Sequence, residues 1–242
     1  MFKGDERVKL AILNALPAPY IFEGELSDGE KFVRLFGAID PTLECHLYDA
    51  TAGELPGTPA VADAFLITGS PAGVYDGEPW IAPLAEFVRQ AYAGQKKLVG
   101  ICFGHQLLAQ ALGGWVEKSE NGWVLGLRSF EIQNHAGWLT PAASRCSLYF
   151  VNQDQVVTLP PGATVIGGND FCPVTIYALK NQVLGIQAHI EQSRRFMRLV
   201  IDYLEPRAPA ALWAEAYRSL EQGVPDDGLV ARWLINFLKD DR

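Results

Sequence analysis

The sequence predicts an α/β protein with a mostly parallel sheet and helices on both faces. Strand-like and helix-like segments alternate through the first half of the chain, a pattern typical of βαβ units. Around Cys102 an apolar run breaks into glycines and then takes on helical character, as a sharp strand-to-helix turn requires. Short β-like runs fill the second half before the pattern becomes helical to the end.

Four strands and three helices are predicted in the first half. The strands cover 8–13, 43–48, 64–68 and 97–101. The first helix follows a capping box, since Ser27 and Glu30 stand at the spacing that satisfies two free backbone N–H groups. The second has its apolar face within 81–91 and stops at Gly94, and the third covers about 105–112. Ligands bind beyond the carboxyl ends of such strands, so we expect the functional site there.

The second half predicts antiparallel strands followed by helices. The β-like runs are 123–127, 147–151, 155–159, 174–179 and 183–187. Three helices are expected to begin near Ser193, Ala208 and Asp227, because prolines and a Gly-Val-Pro step punctuate this region. We therefore interpret residues 1–192 as the main body of one domain and residues 193–242 as its C-terminal helical extension.

Composition narrows the classes of partner. The 242 residues include 20 Lys and Arg against 28 Asp and Glu, and no basic run is interleaved with aromatics, which argues against nucleic-acid binding. The charged segment 1–7 lacks a signal-peptide pattern, and no apolar run approaches the roughly 20 residues of a membrane span. The cysteines at 45, 102, 146 and 172 form neither a disulfide scaffold nor a metal-binding spacing. We expect a cytoplasmic protein without membrane contact, metal or cofactor.

Cys102 has the sequence context of a nucleophile. Gly100 and Gly104 flank it at the small-x-nucleophile-x-small spacing that lets a strand reverse into a helix. The helix N-terminus places partial positive charge beside the sulfur, which favours thiolate over thiol. The alternative is a buried apolar cysteine. The paired glycines and the polar step at His105 and Gln106 favour the nucleophile.

A thiolate nucleophile needs a base, and the base needs an orienting group. His189 ends the strand-like run 183–188, and Glu191 follows at i+2, on the same face of an extended segment. An ordinary strand-end histidine is the alternative. The rival base, His105, lies on the nucleophile's own helix without a carboxylate partner in sequence, so we expect it to be structural. The remaining histidines, His46 and His135, have no catalytic neighbours.

Acyl transfer also needs hydrogen-bond donors for the oxyanion. The backbone N–H of Phe103, just after the nucleophile, is one candidate. A second could come from the loop 68–73, which contains Gly69 and Ser70 and follows an apolar strand. A plain surface turn is the alternative for this loop.

Three motifs together resemble the class I glutamine amidotransferases, triad glutaminases with a flavodoxin-like fold. They are G-I-C-F-G-H-Q at 100–106, G-S-P at 69–71 and H-I-E at 189–191. The resemblance covers roughly residues 8–195 and assigns 1–192 to that domain type. Within the family, the chain is similar to free-standing proteins that are like the glutaminase domain of GMP synthase. The segments that carry this further likeness are 69–76, 79–81, 122–123 and 152–156.

The resemblance implies a mechanism and a set of site residues. Cys102 attacks the side-chain amide of glutamine to form a γ-glutamyl thioester, His189 protonates the departing ammonia and then activates water, and Glu191 holds the imidazole. Other positions match the family's binding groups: the oxyanion loop at Gly69 with the N–H groups of Ser70 and Phe103, the substrate-contacting Gln106, and Asn152, Gln153 and Asp154 over the amino-acid end of the substrate.

Two positions depart from the family pattern. Ile190 replaces a proline, which loosens the backbone between base and orienting group and is expected to modulate the rate. Asn152 replaces a histidine that is usual in the GMP synthase branch. This second departure bears on binding of the glutamine head group or on signalling to a partner.

Three functions follow as hypotheses. The first is a glutaminase that releases ammonia for a separate synthetase subunit, because the chain has neither a phosphate-binding loop of its own nor room for a synthetase domain after Glu191. The second is a γ-glutamyl peptidase or hydrolase that needs no partner. The third is a non-catalytic binding protein. Apolar C-terminal helices would either cover the core or join subunits in a homo-oligomer.

Overall fold

A computed structural model describes residues 7–120, 122–205 and 209–240 of the chain. Its strands are β1 Val8–Asn14, β2 Leu43–Asp49, β3 Ala64–Ile67, β4 Lys97–Ile101, β5 Trp115–Lys118, β6 Val124–Ile132, β7 Arg145–Asn152, β8 Asp154–Thr158, β9 Ala163–Gly168, β10 Ile176–Leu179 and β11 Val183–Ile186. Its α-helices are α1 Asp28–Ile39, α2 Ile81–Ala93, α3 Phe103–Ala111, α4 Arg194–Leu204, α5 Ala210–Gln222 and α6 Asp227–Lys239.

One mixed sheet organises the molecule. Its order is β2-β1-β3-β4-β11-β10-β9-β6-β7, while β5 and β8 form a separate antiparallel pair. The five strands from β2 to β11 are mutually parallel, in the 2-1-3-4-5 order of flavodoxin-like sheets. The remaining strands, β10, β9, β6 and β7, continue the sheet in antiparallel fashion. The predicted fold class is confirmed.

Helices cover both faces of the parallel strands. Alternate residues of β1 point to opposite faces, so Ile12 joins an apolar layer with α1 and α6, while Leu13 joins another with α2 and α3. Helices α4 and α5 pack over Leu125 and Tyr149 of the antiparallel part. The division of the domain at 192/193 stays a prediction. Among the described residues, no helix is both long and apolar enough to span a bilayer.

The turn from β4 into α3 is a single residue. Cys102 has a φ of +51°, which side chains rarely adopt, and α3 begins at the next residue rather than at the predicted position 105. A Cβ on Gly100 would lie 2.3 Å from the carbonyl carbon of Gly104, and a Cβ on Gly104 would lie 2.3 Å from the carbonyl oxygen of Ile67. Both glycines are therefore required by close backbone approach.

Gly100→Ala is expected to lower the free energy of unfolding by about 3 kcal/mol, because its methyl group would meet rigid backbone rather than a movable side chain. Urea unfolding measures the change. The matched control is Gly37→Ala, in α1, where nothing lies within 4 Å of the new methyl group. The free energy of unfolding of this control should rise by about 0.5–1 kcal/mol. Equal stability of Gly100→Ala and the parent protein would contradict the close-approach explanation.

The second half differs from the predicted elements in detail. Strands β5 and β9 are absent from the predicted elements, and β6 continues past the predicted end at 127. β9 ends in two glycines, which weaken a strand pattern. The predicted helix start at Ala208 lies outside the described residues, and the helix is described from Ala210.

Candidate active site

The carboxyl ends of β4 and β11 bring the predicted nucleophile and base together. These strands are parallel neighbours, with Ile101 opposite Ile186. Cys102 directly follows β4, and His189 follows β11 by three residues. Both side chains are buried but line the same cavity of about 380 Å³, at the sheet edge where α/β proteins bind ligands.

Glu191 orients the imidazole of His189. Its Oε1 lies 2.6 Å from Nδ1 of His189, and the carboxylate is fully buried. Two further donors hold it: Gln192 Nε2 donates to Oε1 at 2.7 Å, and the N–H of Ile190 donates to Oε2 at 3.0 Å. A proline at 190 could not make that last bond, so Ile190 supplies a restraint of its own. The N–H of His189 donates to the carbonyl of Tyr149 at 2.8 Å, which fixes the backbone here.

The electrostatics of this pair favour two charged groups. Burial alone would lower the pKa of His189, but the Glu191 carboxylate and then Cys102 raise it, so that it lies well above the usual histidine value. Burial likewise raises the pKa of Glu191, yet the charge of His189 and its hydrogen bond outweigh burial and keep the pKa of Glu191 low. Because Nδ1 faces Glu191, Nε2 is the ring nitrogen left for the sulfur or a substrate.

Two glutamine side chains form a hydrogen-bonded chain that ends at the sulfur of Cys102. Gln187 Nε2 donates to Sγ of Cys102 at 3.5 Å, and Gln106 Nε2 donates to Oε1 of Gln187 at 3.1 Å. Gln106 also donates to the carbonyl of Asp154 at 2.9 Å, so it connects the nucleophile's helix to the segment 152–154. Gln187 is not among the predicted site residues, although its i−2 spacing from His189 in an extended segment places it on the same face.

Gly69 leaves open the space where three groups of the site meet. A Cβ there would lie 3.1 Å from Cε1 of His189, 3.5 Å from Oδ2 of Asp28 and 3.7 Å from Cβ of Cys102. Ser70 also lines the cavity, and Phe103 is the first residue of α3, where a backbone N–H has no acceptor within its own helix. The loop and the start of α3 thus both lie beside Cys102, and their role as oxyanion donors stays a prediction.

The segment 152–154 closes the other end of the cavity. Asn152, Gln153 and Asp154 all line it. Oδ1 of Asn152 is buried and has no hydrogen-bond partner among the described residues, so its capacity to accept a hydrogen bond is unused there. Asp154 accepts from the hydroxyl of Tyr75 at 2.8 Å, and Nζ of Lys118 lies 3.5 Å from the same carboxylate. A hydrogen-bond acceptor, a carboxylate and an ammonium group therefore lie close together at this end of the cavity.

Asp28 is a cavity residue that sequence reasoning missed. It is buried at the start of α1, and its Oδ1 accepts from Lys31 Nζ and from Gln192 Nε2, both at 2.9 Å. Burial, and next the nearby Glu191 carboxylate, raise the pKa of Asp28 despite the lowering effect of Lys31. Gln192 bridges Asp28 and Glu191, which joins α1 to the segment 189–191.

The other histidines do not line the cavity that contains Cys102. His105 is fully buried, packs against the ring of Tyr177 with centroids 4.9 Å apart, and is not among the residues that line the cavity. Burial lowers the pKa of His105 to about 3, so its imidazole is neutral. His46 pairs with Glu44 on exposed β2 positions. The part of the chain that the structure describes holds no group of three His, Cys, Asp or Glu side chains placed to bind a metal ion.

Comparisons with known proteins indicate one family and one fold for this chain. The family model for glutamine amidotransferase class-I matches residues 30–199. The chain is 30% identical over 185 residues to γ-glutamyl peptidase 3 of Arabidopsis thaliana, covering 73% of this chain and 74% of the relative.

Solved structures with low sequence identity share the fold. A glutamine amidotransferase from Thermotoga maritima aligns with a TM-score of 0.73 at 20% identity, covering 97% of this chain and all of that one. A Thermoplasma acidophilum protein described as a GMP synthase subunit has a TM-score of 0.60 at 15% identity, over 84% of this chain and 98% of that one. Together with the family match, these likenesses confirm the predicted resemblance: the chain belongs to the class I glutamine amidotransferase family.

Proposed function

We propose that this protein hydrolyses γ-glutamyl amide bonds through a thioester on Cys102. The observation that carries the proposal is that Cys102, Gly69 and His189 line one cavity, while Glu191 holds Nδ1 of His189 from behind it. A nucleophile, an oriented acid–base group and flanking backbone N–H groups are the parts that acyl transfer needs. The similarity to a γ-glutamyl peptidase supports the γ-glutamyl group as the acyl part.

The reaction proceeds in two halves. The Cys102 thiolate adds to the γ-carbonyl carbon, and the N–H groups of Phe103 and Ser70 stabilise the oxyanion that forms. His189 donates its Nε2 proton to the departing nitrogen as the C–N bond breaks, which leaves a γ-glutamyl thioester and a free amine. His189 then takes a proton from water, the hydroxide attacks the thioester, and glutamate leaves with the thiolate restored. Glu191 keeps Nδ1 in place through both halves.

The polar end of the cavity binds the amino-acid part of the substrate. Oδ1 of Asn152 and the carboxylate of Asp154 accept from the α-ammonium group, and Lys118 attracts the α-carboxylate. This places the γ-carbonyl over the sulfur and gives the segment 152–154 a role in recognition. The asparagine at 152 is suited to that role because its acceptor oxygen is buried and unused by the described residues.

A glutaminase that supplies ammonia to a separate synthetase is the second candidate. The fold likeness to the protein described as a GMP synthase subunit is the observation that favours it. The two candidates differ in the leaving group, which is ammonia in one and a larger amine in the other. They also differ in whether the isolated protein hydrolyses its substrate without a partner.

Steady-state release of glutamate by the isolated protein tests the proposal. The substrates are glutamine and γ-glutamyl dipeptides, and Cys102→Ala is the control. We expect the dipeptides to be cleaved without any partner, at a rate that the control lacks. No cleavage of any γ-glutamyl compound, or equal cleavage by the control, would overturn the proposal. Glutamine turnover that appears only when cell extract is added would support the second candidate.

A further inference from the structure

The catalytic cavity extends beyond the catalytic groups along an apolar wall. One face of α4 supplies half of it, and the chain between β1 and α1 supplies the other half. The wall includes Phe196, Val200 and Tyr203 on α4, facing Pro19, Tyr20 and Phe22. Phe22 packs edge-on against Phe196 and Tyr203, with ring centroids 5.6 and 6.1 Å apart.

We propose that this wall is a leaving-group subsite, which selects γ-glutamyl amides of bulky apolar amines, preferably aromatic ones. The inference rests on the hydrolase function proposed above and adds the chemical class of the amine. Release of ammonia from glutamine would make no use of such a wall.

The positions of the catalytic groups place the amine on this side. The polar segment 152–154 takes the amino-acid end of the substrate, and the oxyanion points to the N–H groups beside Cys102. The departing nitrogen must then lie at His189, which donates its proton. From His189 the chain passes through Gln192 into α4, and His189, Gln192 and Phe196 all line the same cavity.

Asp28 provides a polar contact at the entrance to this subsite. Its Oδ1 is occupied by Lys31 and Gln192, whereas its Oδ2 lies 3.5 Å from the position of a Cβ on Gly69, in the same space as Cε1 of His189. This oxygen can accept the N–H of the scissile amide and the protons of the departing amine. A polar atom at the nitrogen and apolar side chains beyond it match an amine with an apolar substituent.

The outer part of the wall has large rings in contact with solvent. Tyr20 and Tyr203 are 43% and 44% exposed, so apolar surface stays open beside the site. A benzyl group that leaves water for this wall should raise kcat/KM by roughly 10- to 100-fold over a methyl group, as expected for burial of a phenyl ring.

A pair of synthetic substrates tests the inference. γ-Glutamyl-methylamide and γ-glutamyl-benzylamide differ only in the apolar group, and we expect the protein to favour the benzylamide in kcat/KM by about 10-fold or more. Val200→Gln and Tyr203→Ala should each remove most of that preference. Val157→Gln is the matched control, since Val157 is 50% exposed on β8 and does not line the cavity. It should leave the preference intact.

The outcomes separate this inference from the proposed function. Cleavage of both amides by Cys102-dependent turnover without a benzyl preference would overturn the subsite and leave the hydrolase function standing. Absence of any Cys102-dependent cleavage would overturn both. A preference that survives in Val200→Gln and Tyr203→Ala would also overturn the subsite, and thermal unfolding of each variant shows that the folded protein is being compared. Should Val200→Gln not fold, Tyr203→Ala decides.

Discussion

Cys102→Ser should lower kcat/KM for γ-glutamyl hydrolysis by about a thousandfold or more, because a serine hydroxyl at this turn is a far weaker nucleophile than a thiolate. Steady-state kinetics with a γ-glutamyl dipeptide measure the loss. The variant should unfold at the same urea concentration as the parent protein, since oxygen replaces sulfur in a side chain whose hydrogen bonds to Gln187 Nε2 and to the carbonyl of Val151 are long, at 3.5 and 3.9 Å.

Cys45→Ser is the matched control for this prediction. Cys45 lies on β2, which is separated from β4 by β1 and β3, and it does not line the cavity. Its replacement should leave the rate unchanged. Retention of most of the activity by Cys102→Ser, or an equal loss in the control, would contradict the assignment of the nucleophile.

Glu191→Gln should lower kcat/KM by roughly 10²–10⁴-fold and shift its pH dependence. The amide keeps the shape of the side chain but removes the negative charge of the carboxylate that faces Nδ1 of His189. In the parent protein Glu191 and Cys102 raise the pKa of His189 against the lowering effect of burial. Loss of the charge therefore lowers that pKa. In a plot of kcat/KM against pH, the limb at which His189 loses its proton should therefore move to lower pH.

Profiles of kcat/KM against pH for the parent protein and the variant measure this shift. Glu86→Gln, which alters an exposed carboxylate paired with Arg89 on α2, is the control and should leave the profile unchanged. An unchanged limb in Glu191→Gln would show that Glu191 does not set the proton affinity of the base. A limb that moves to higher pH would contradict the sign of the electrostatic argument.

The sequence pattern predicts the positions of Cys102, His189 and Glu191 because local backbone geometry determines them. The glycines around Cys102 are required by backbone approach in one tight turn, and that requirement is visible in sequence. His189 and Glu191 come from a segment with a two-residue period, which predicts a shared face. Parallel strand ends meet at one edge of a sheet, so a nucleophile after one strand and a base after its neighbour could be expected to lie close.

Parts of the site that depend on distant packing could not be predicted in the same way. Asp28 stands just after a capping serine, where an acidic residue is explained by the helix N-terminus alone. Only the packing of α1 against the segment at Gln192 shows that its carboxylate enters the cavity. The periodicity of α4 predicts an apolar face, but not that part of this face lines a cavity rather than the core.

In the proposed mechanism Cys102 carries the γ-glutamyl group during turnover. Rapid acid quenching of the protein during hydrolysis of a γ-glutamyl dipeptide, followed by mass spectrometry of its cysteine peptides, detects this intermediate. The mechanism predicts the added mass of a γ-glutamyl group on the Cys102 peptide, absent in Cys102→Ala. Turnover with no added mass on that peptide, or with the mass on the peptide of Cys45, Cys146 or Cys172, would contradict it.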